Sequence, residues 1–167
     1  MESMRRDYPD MNQIQAIYIY THDKGRISMT QTKWLTNIGI EGDKHAIGGD
    51  RQIQIASAAA IETLSCCDGA CFSRFKANVV LDSLPAESLR IGMRLQVGGA
   101  EIEITGFKRC PFQDCPMHAK KNSCILLKET VVAKVIRGGL VNIGSFVCLN
   151  SNNETKVNGE KQHKNDF

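Results

Sequence analysis

The sequence predicts a mainly β fold, a small closed β-barrel with one or two short helices. Three observations carry that expectation: short β-branched and aromatic stretches recur along the chain, glycines punctuate them, and helix-forming composition is sustained in only one segment. A chain of 167 residues builds one core of ordinary size and leaves no room for two.

The elements follow in order. Residues 1–13 are polar and read as a flexible N-terminus, and the ordered body spans 14–149. Ile14–Tyr20 (IQAIYIY) has the content of a strand, and Gln52–Ala56 (QIQIA) alternates strictly. Ser57 is placed to cap a short helix over Ala58–Cys66 that stops before Asp68-Gly69. Asn78–Leu81 is a further short strand. Leu89–Gly92, then Arg94–Val97, Gly98-Gly99 and Ala100–Thr105 (AEIEIT) describe two strands joined by a tight glycine turn. Val131–Arg137 satisfies either a helix or a strand. Gly138-Gly139 then turns the chain into Leu140–Ile143, and Phe146–Leu149 is the final strand, with Cys148 expected in the core. Residues 150–167 form a polar tail with almost nothing to bury.

Composition narrows the function classes. Apolar residues make up 42% and charged residues 23%, the balance of a soluble domain. The longest apolar runs fall well short of the about 20 residues that cross a bilayer, so no membrane role is expected. The N-terminus has arginines but no apolar stretch behind them, which argues against a cleaved secretory leader and for the cytoplasm. Seven cysteines, an odd number, fit ligands, nucleophiles or core residues in a reducing compartment better than a disulfide framework. A net charge of +3 without a basic stripe and interleaved aromatics gives no reason to expect nucleic acid.

Chemistry concentrates in two places. Gly106–Cys124 (GFKRCPFQDCPMHAKKNSC) gathers Cys110, Cys115, His118 and Cys124 among Lys108, Arg109, Lys120 and Lys121. Thiolates hold soft metals and accept sulfur as persulfide, and neighbouring cations favour the thiolate. A structural zinc site of Cys3His type competes, although the spacings are looser than a zinc knuckle; thiols without a role are the plainest alternative. The second place is Gly39–Ser57 (GIEGDKHAIGGDRQIQIAS). Here Gly42, Gly48 and Gly49 permit positive φ or close backbone approach, and Lys44, His45 and Arg51 are donors for an anion such as phosphate. It ends in neither the Walker A Gly-Lys-Ser/Thr nor a GxGxxG. Arg51 and Arg74 are the preferred phosphate contacts because guanidinium pairs with phosphate in bidentate fashion; ion pairs of these arginines with Glu41, Asp43 or Asp50 are the alternative. Asn78 either donates to a ligand or caps a turn.

Taken in order, these segments resemble the MOSC family, the module found at the C-terminus of molybdenum cofactor sulfurases and as small free-standing bacterial proteins. GIEGDKHAIGGDRQIQIAS is similar to the family's GxEGDxHAGxxxRQVxLLS, and Gly69–Asn78 to its GxCxGRFxxN segment. LRIGMRLQVGGAEIEIT is similar to its strand pair, Gly106–Cys124 to its cysteine cluster, and VIRGGLVNIGSFV to its closing segment. Ser73, Pro111 and Ser145 depart from that pattern. The resemblance implies a barrel with a pterin-binding cleft and a role in binding molybdenum cofactor (Mo-molybdopterin) or in carrying sulfur to a metal centre. It implies cofactor contacts at Gly42, Asp43, Lys44, His45, Gly49, Arg51, Arg74, Asn78 and Lys108. Cys124, in Ser123-Cys124-Ile125-Leu126, ranks first as molybdenum ligand or persulfide carrier, with Cys110 and Cys115 as auxiliary ligands or relays. The chain carries no pyridoxal-phosphate domain, so a sulfur donor such as a cysteine desulfurase is expected to load it, with a molybdoenzyme or redox partner downstream. A molybdenum-dependent reductase of N-hydroxylated compounds and a non-catalytic zinc-stabilised interaction module are the alternative readings.

Overall fold

The computed structural model describes residues 13–66, 75–84, 86–108 and 124–150. In chain order the elements are β1 (Ile14–Thr21), β2 (Gly25–Met29), β3 (Gln31–Leu35), β4 (Gly39–Ile40), β5 (Ile53–Ser57), α1 (Ala58–Cys66), β6 (Val79–Leu81), β7 (Arg94–Val97), β8 (Ala100–Phe107), α2 (Ile125–Lys128), β9 (Thr130–Arg137), β10 (Gly139–Asn142) and β11 (Val147–Leu149). They form an eight-stranded sheet in the order β11-β7-β8-β9-β5-β6-β1-β2 and a three-stranded sheet in the order β10-β3-β4.

The sheet is open, which corrects the expected closed barrel. Its two ends do approach: Gln13 bridges Phe146, the Ile14 amide donates to Ser145 O at 3.0 Å, and the Gly144 amide donates to Ile14 O at 2.8 Å. No ladder follows from this contact. From Ile17 onward the outer edge of β1 is taken by β2, in register Ile17↔Met29 to Thr21↔Gly25, while all three residues of β11 pair with β7. Only the first residues of β1 are left to meet the other end.

One core serves both sheets. Trp34, Ile40 and Val141 from the smaller sheet pack in the same buried cluster as Ile17, Ile55, Leu81, Leu95, Ile102, Ile104 and Val135 from the larger. Trp34 is fully buried and satisfies its indole N–H on Thr32 Oγ1 at 3.0 Å, while the Thr32 hydroxyl donates to Val141 O. At the sheet junction a Cβ on Gly139 would collide with the Gly99 carbonyl, and one on Gly138 with the Trp34 carbonyl, so both glycines are required for backbone approach and not for φ.

The ambiguous stretch Val131–Arg137 is strand. β9 pairs antiparallel with β5 on one side and β8 on the other, where its β-branched side chains fit a doubly covered central position. β5 and β6 run parallel, a pairing that needs a crossover, and α1 stands in that connection. Ser57 caps it as expected, its Oγ accepting from the Ala60 amide at 3.1 Å. Behind β5 and β6, Ala56, Ala60, Ala77, Val80 and Leu126 form a second, smaller cluster. Cys148, expected in the core, is exposed: the alternation of β11 sends Val147 inward and Cys148 outward. Among the described residues no helix is long and apolar enough to cross a membrane.

Candidate functional site

The loop between β4 and β5 is fastened to the end of β1. Tyr20 gives both backbone groups to it: its amide donates to Asp43 Oδ1 at 2.7 Å, and its carbonyl accepts from the Lys44 amide at 2.7 Å. Gly42 and Gly49 adopt φ of +89° and +81°, conformations a side chain resists, and a Cβ on Gly42 would press on Ile19 Cδ1 at 3.3 Å. Farther along, the buried amide of Gln52 ties the loop to β9: its Nε2 donates to Gly49 O at 2.7 Å, and its Oε1 accepts from the Val135 amide at 2.9 Å.

This fastening makes one wall of a cleft of about 380 Å³, lined by His45, Arg51, Gln52, Ile53, Gln54, Lys76, Asn78, Lys108 and Val132. The volume suits a small molecule. Arg51, Lys76 and Lys108 supply positive charge, His45 adds an imidazole, and among the described residues no carboxylate lines the space. Among the described residues no carboxylate pairs with Arg51, since Asp43 is engaged with His45 and Asp50 lies 3.9 Å from Lys134. Lys108 extends over the Phe75 ring, its Nζ 5.3 Å from the centroid.

Between the lining residues Lys76 and Asn78, Ala77 O accepts a hydrogen bond from the Tyr20 hydroxyl at 3.0 Å. Burial pushes the Tyr20 phenol above the ordinary value, with smaller contributions from Arg26 downward and from Asp43 and Tyr18 upward, so the hydroxyl stays a donor. Lys76 Nζ lies 5.6 Å from the Tyr20 centroid. Its ammonium is held below the usual lysine range first by the hydrogen bond with the Lys44 side chain, then by the charge of Lys44 and by partial desolvation, against the pull of Asp43. An oxyanion arriving beside these crowded cations would relieve their mutual repulsion.

The expected residues are therefore distributed as follows. His45, Arg51, Asn78 and Lys108 line the cleft, Lys44 adjoins it through Lys76, and Gly42 and Gly49 shape its loop. The Asp43 side chain is fully buried and turned to Tyr20 and His45. Asn78 lines the cleft while stitching the sheet, accepting from the Gln54 amide at 3.1 Å and donating to Tyr18 O at 3.2 Å. Cys124 does not line the cleft; half-buried at the start of α2 with no side-chain cap hydrogen bond, it packs on the cluster containing Ala77, the residue between cleft-lining Lys76 and Asn78. Arg74, Cys110 and Cys115 lie outside the described residues. Sequence reasoning missed Lys76, Gln52 and Gln54. The signal was there: in extended chain, residues two apart share a face, so Asn78 and the strand QIQ already pointed to them.

Among solved structures, the chain is similar to the YuaD protein of Bacillus subtilis, with a TM-score of 0.58 and 19% identity over 82% of this chain and 94% of that one. It is also similar to YiiM from Escherichia coli, TM-score 0.52 and 20% identity over 83% and 70% of the two chains, and to YiiM from Geobacillus stearothermophilus, TM-score 0.52 and 15% identity over 93% and 86%. YuaD and YiiM are MOSC-domain proteins. The fold is MOSC-like. No family model and no curated protein matches the sequence, and at these identities the likeness concerns the fold alone. Within the MOSC-like fold the cationic cleft lies between the β4–β5 loop, the chain entering β6 and the end of β8.

Proposed function

We propose that this MOSC-like protein binds the phosphate-bearing pterin of a molybdenum cofactor in the cleft, or handles sulfur for such a centre. The observation that carries the reading is the cleft itself: three side-chain cations and an imidazole around about 380 Å³, with no lining carboxylate among the described residues. Those donors suit a phosphate, and the side-chain amide of Gln54 suits the donor and acceptor edge of a pterin. Arg51, Lys76 and Lys108 would hold the phosphate, with Lys44 reinforcing Lys76. When bound, the cofactor would supply a metal centre able to pass electrons in pairs or to accept sulfur. The protein's own part is to neutralise the anion, orient the ring system and keep a thiol near. Cys124, which packs on the cluster containing Ala77, is the proposed ligand or persulfide carrier.

Metal and pterin analysis of protein purified from a molybdopterin-producing host tests the proposal. Molybdenum with pterin fluorescence is the expected result, whereas one tightly bound zinc and no pterin would replace it with the interaction-module reading. Cyanide-labile sulfur on the same sample, assayed beside reduction of an N-hydroxylated compound, separates the sulfur carrier from the reductase. A Cys124→Ser protein that keeps its full metal and sulfur loading would remove Cys124 from its role.

A further inference from the structure

Asp43 and His45 form a unit that charge neutralisation alone does not require. The Asp43 side chain has no exposed surface, and both of its oxygens are engaged: Oδ1 accepts from the Tyr20 amide at 2.7 Å, while Oδ2 accepts from the His45 amide at 3.0 Å and faces His45 Nδ1 at 3.1 Å. A carboxylate has no proton to give, so the proton between Asp43 and the ring belongs to Nδ1. That fixes the neutral imidazole as the Nδ1–H tautomer and leaves the lone pair on Nε2. The ring meets Tyr20 edge to face, with centroids 6.1 Å apart, and the side chain is 41% exposed and lines the cleft.

We propose that His45 is a proton-linked ligand contact of the cleft: when an oxyanion binds, Nε2 takes up a proton from solvent and donates it to the anion, with Asp43 as the residue that positions the ring. The inference rests on the reading of the cleft as a phosphate site and adds to it a residue whose charge depends on the ligand. The charged and titratable groups around the ring set the balance. From its own loop come Asp43, which supports an imidazolium, and Lys44, which opposes it. Tyr20 of β1 contributes a neutral phenol, and Lys76 before β6, Arg51 before β5 and Lys108 after β8 all oppose a further positive charge. An incoming dianion reverses the contribution of that cationic wall, because it cancels the repulsion and offers Nε2 an acceptor.

Inorganic sulfate is the probe, since it is a dianion with no proton of its own to exchange near neutrality. Calorimetry at pH 7 in buffers of different ionisation enthalpy is expected to show roughly half a proton or more taken up per sulfate bound, with affinity falling severalfold from about pH 6 to 8. In His45→Gln the uptake and the pH dependence should vanish while weaker sulfate binding persists. Equal uptake in the variant, or none in the wild type despite binding, would overturn the inference and leave the anion site standing. Absence of sulfate binding in the wild type would remove the site and the inference together. Independently of any ligand, nitrogen-15 spectra of the imidazoles should show Nδ1–H for His45, identified among the four histidines by its loss in His45→Gln. An Nε2–H ring there would also overturn the assignment.

Discussion

Lys76 shares a hydrogen bond with Lys44, and the repulsion between two ammonium groups makes its amine easier to deprotonate than that of an isolated lysine. Mass spectrometry of partially acylated protein near pH 8 is expected to find Lys76 modified ahead of the other described lysines, and Lys44→Met should slow that reaction. Equal rates in the two proteins would contradict the pairing. Arg51 has no carboxylate partner among the described residues, so Arg51→Ala should leave stability nearly unchanged and weaken sulfate or pyrophosphate binding by roughly tenfold or more, the usual scale for one charge-assisted contact. Much of this site was legible in the sequence at residue scale. Gly42, Lys44, His45 and Arg51 stood out because glycines that free the backbone sit there among donors for an anion, although a turn-rich connection with solvated charges fits the same spacing. Asp43 stood out too, but sequence alone does not distinguish a buried carboxylate that orients its neighbours from one that meets a ligand. The spacing from Asn78 offered Lys76 as a lining residue, but its pairing with Lys44, thirty-two positions away in the chain, arises only after folding. Cys124 was singled out on its sequence surroundings, and it packs on the small cluster behind β5 and β6 and not on the cleft lining.

Elements with a strong period were read correctly. β1, β5, the β7–β8 hairpin and the cap of α1 all follow the expected bounds closely, because alternation, a Gly-Gly turn and a Ser cap are local signals. β2 and β3 escaped notice: GRISM and QTKWL have mostly exposed or partly exposed positions and little apolar contrast, and their existence depends on pairing with β1 and β10. The segment of β9 was undecidable alone and is settled by neighbours on both edges. The junction of the two sheets is the most demanding element contact. A Gly139→Ala substitution puts a methyl group against the Gly99 carbonyl and is expected to lower unfolding stability by about 2 kcal/mol or more in urea titration, whereas Gly49→Ala meets no atom nearby and suffers only from its positive φ.

Among the described residues a main hydrophobic core is shared by two sheets, a smaller cluster lies behind β5 and β6, and the cleft is cut where the loop after β4 leans on β1. Tyr20 is buried, which couples stability to alkaline pH. Its folded phenol lies above the unfolded value of 10.0, chiefly through burial, so its contribution is complete below that pH and is lost as pH rises through the folded value, where the unfolded phenol already ionises. Urea unfolding across roughly pH 8 to 11 should show a steeper decline for the wild type than for Tyr20→Phe. The mainly β class was readable from composition, but closure was not, since whether a sheet's ends zip together is decided by which strand occupies the last free edge. That arrangement has a mechanical consequence. The hem between Gln13–Ile14 and Gly144–Phe146 can part without breaking any strand ladder, at the cost of loosening the buried Ile14 side chain. Deuterium should therefore replace the amide protons of Ile14 and Gly144 far sooner than that of Ile102, making this hem the place where the shell first breathes.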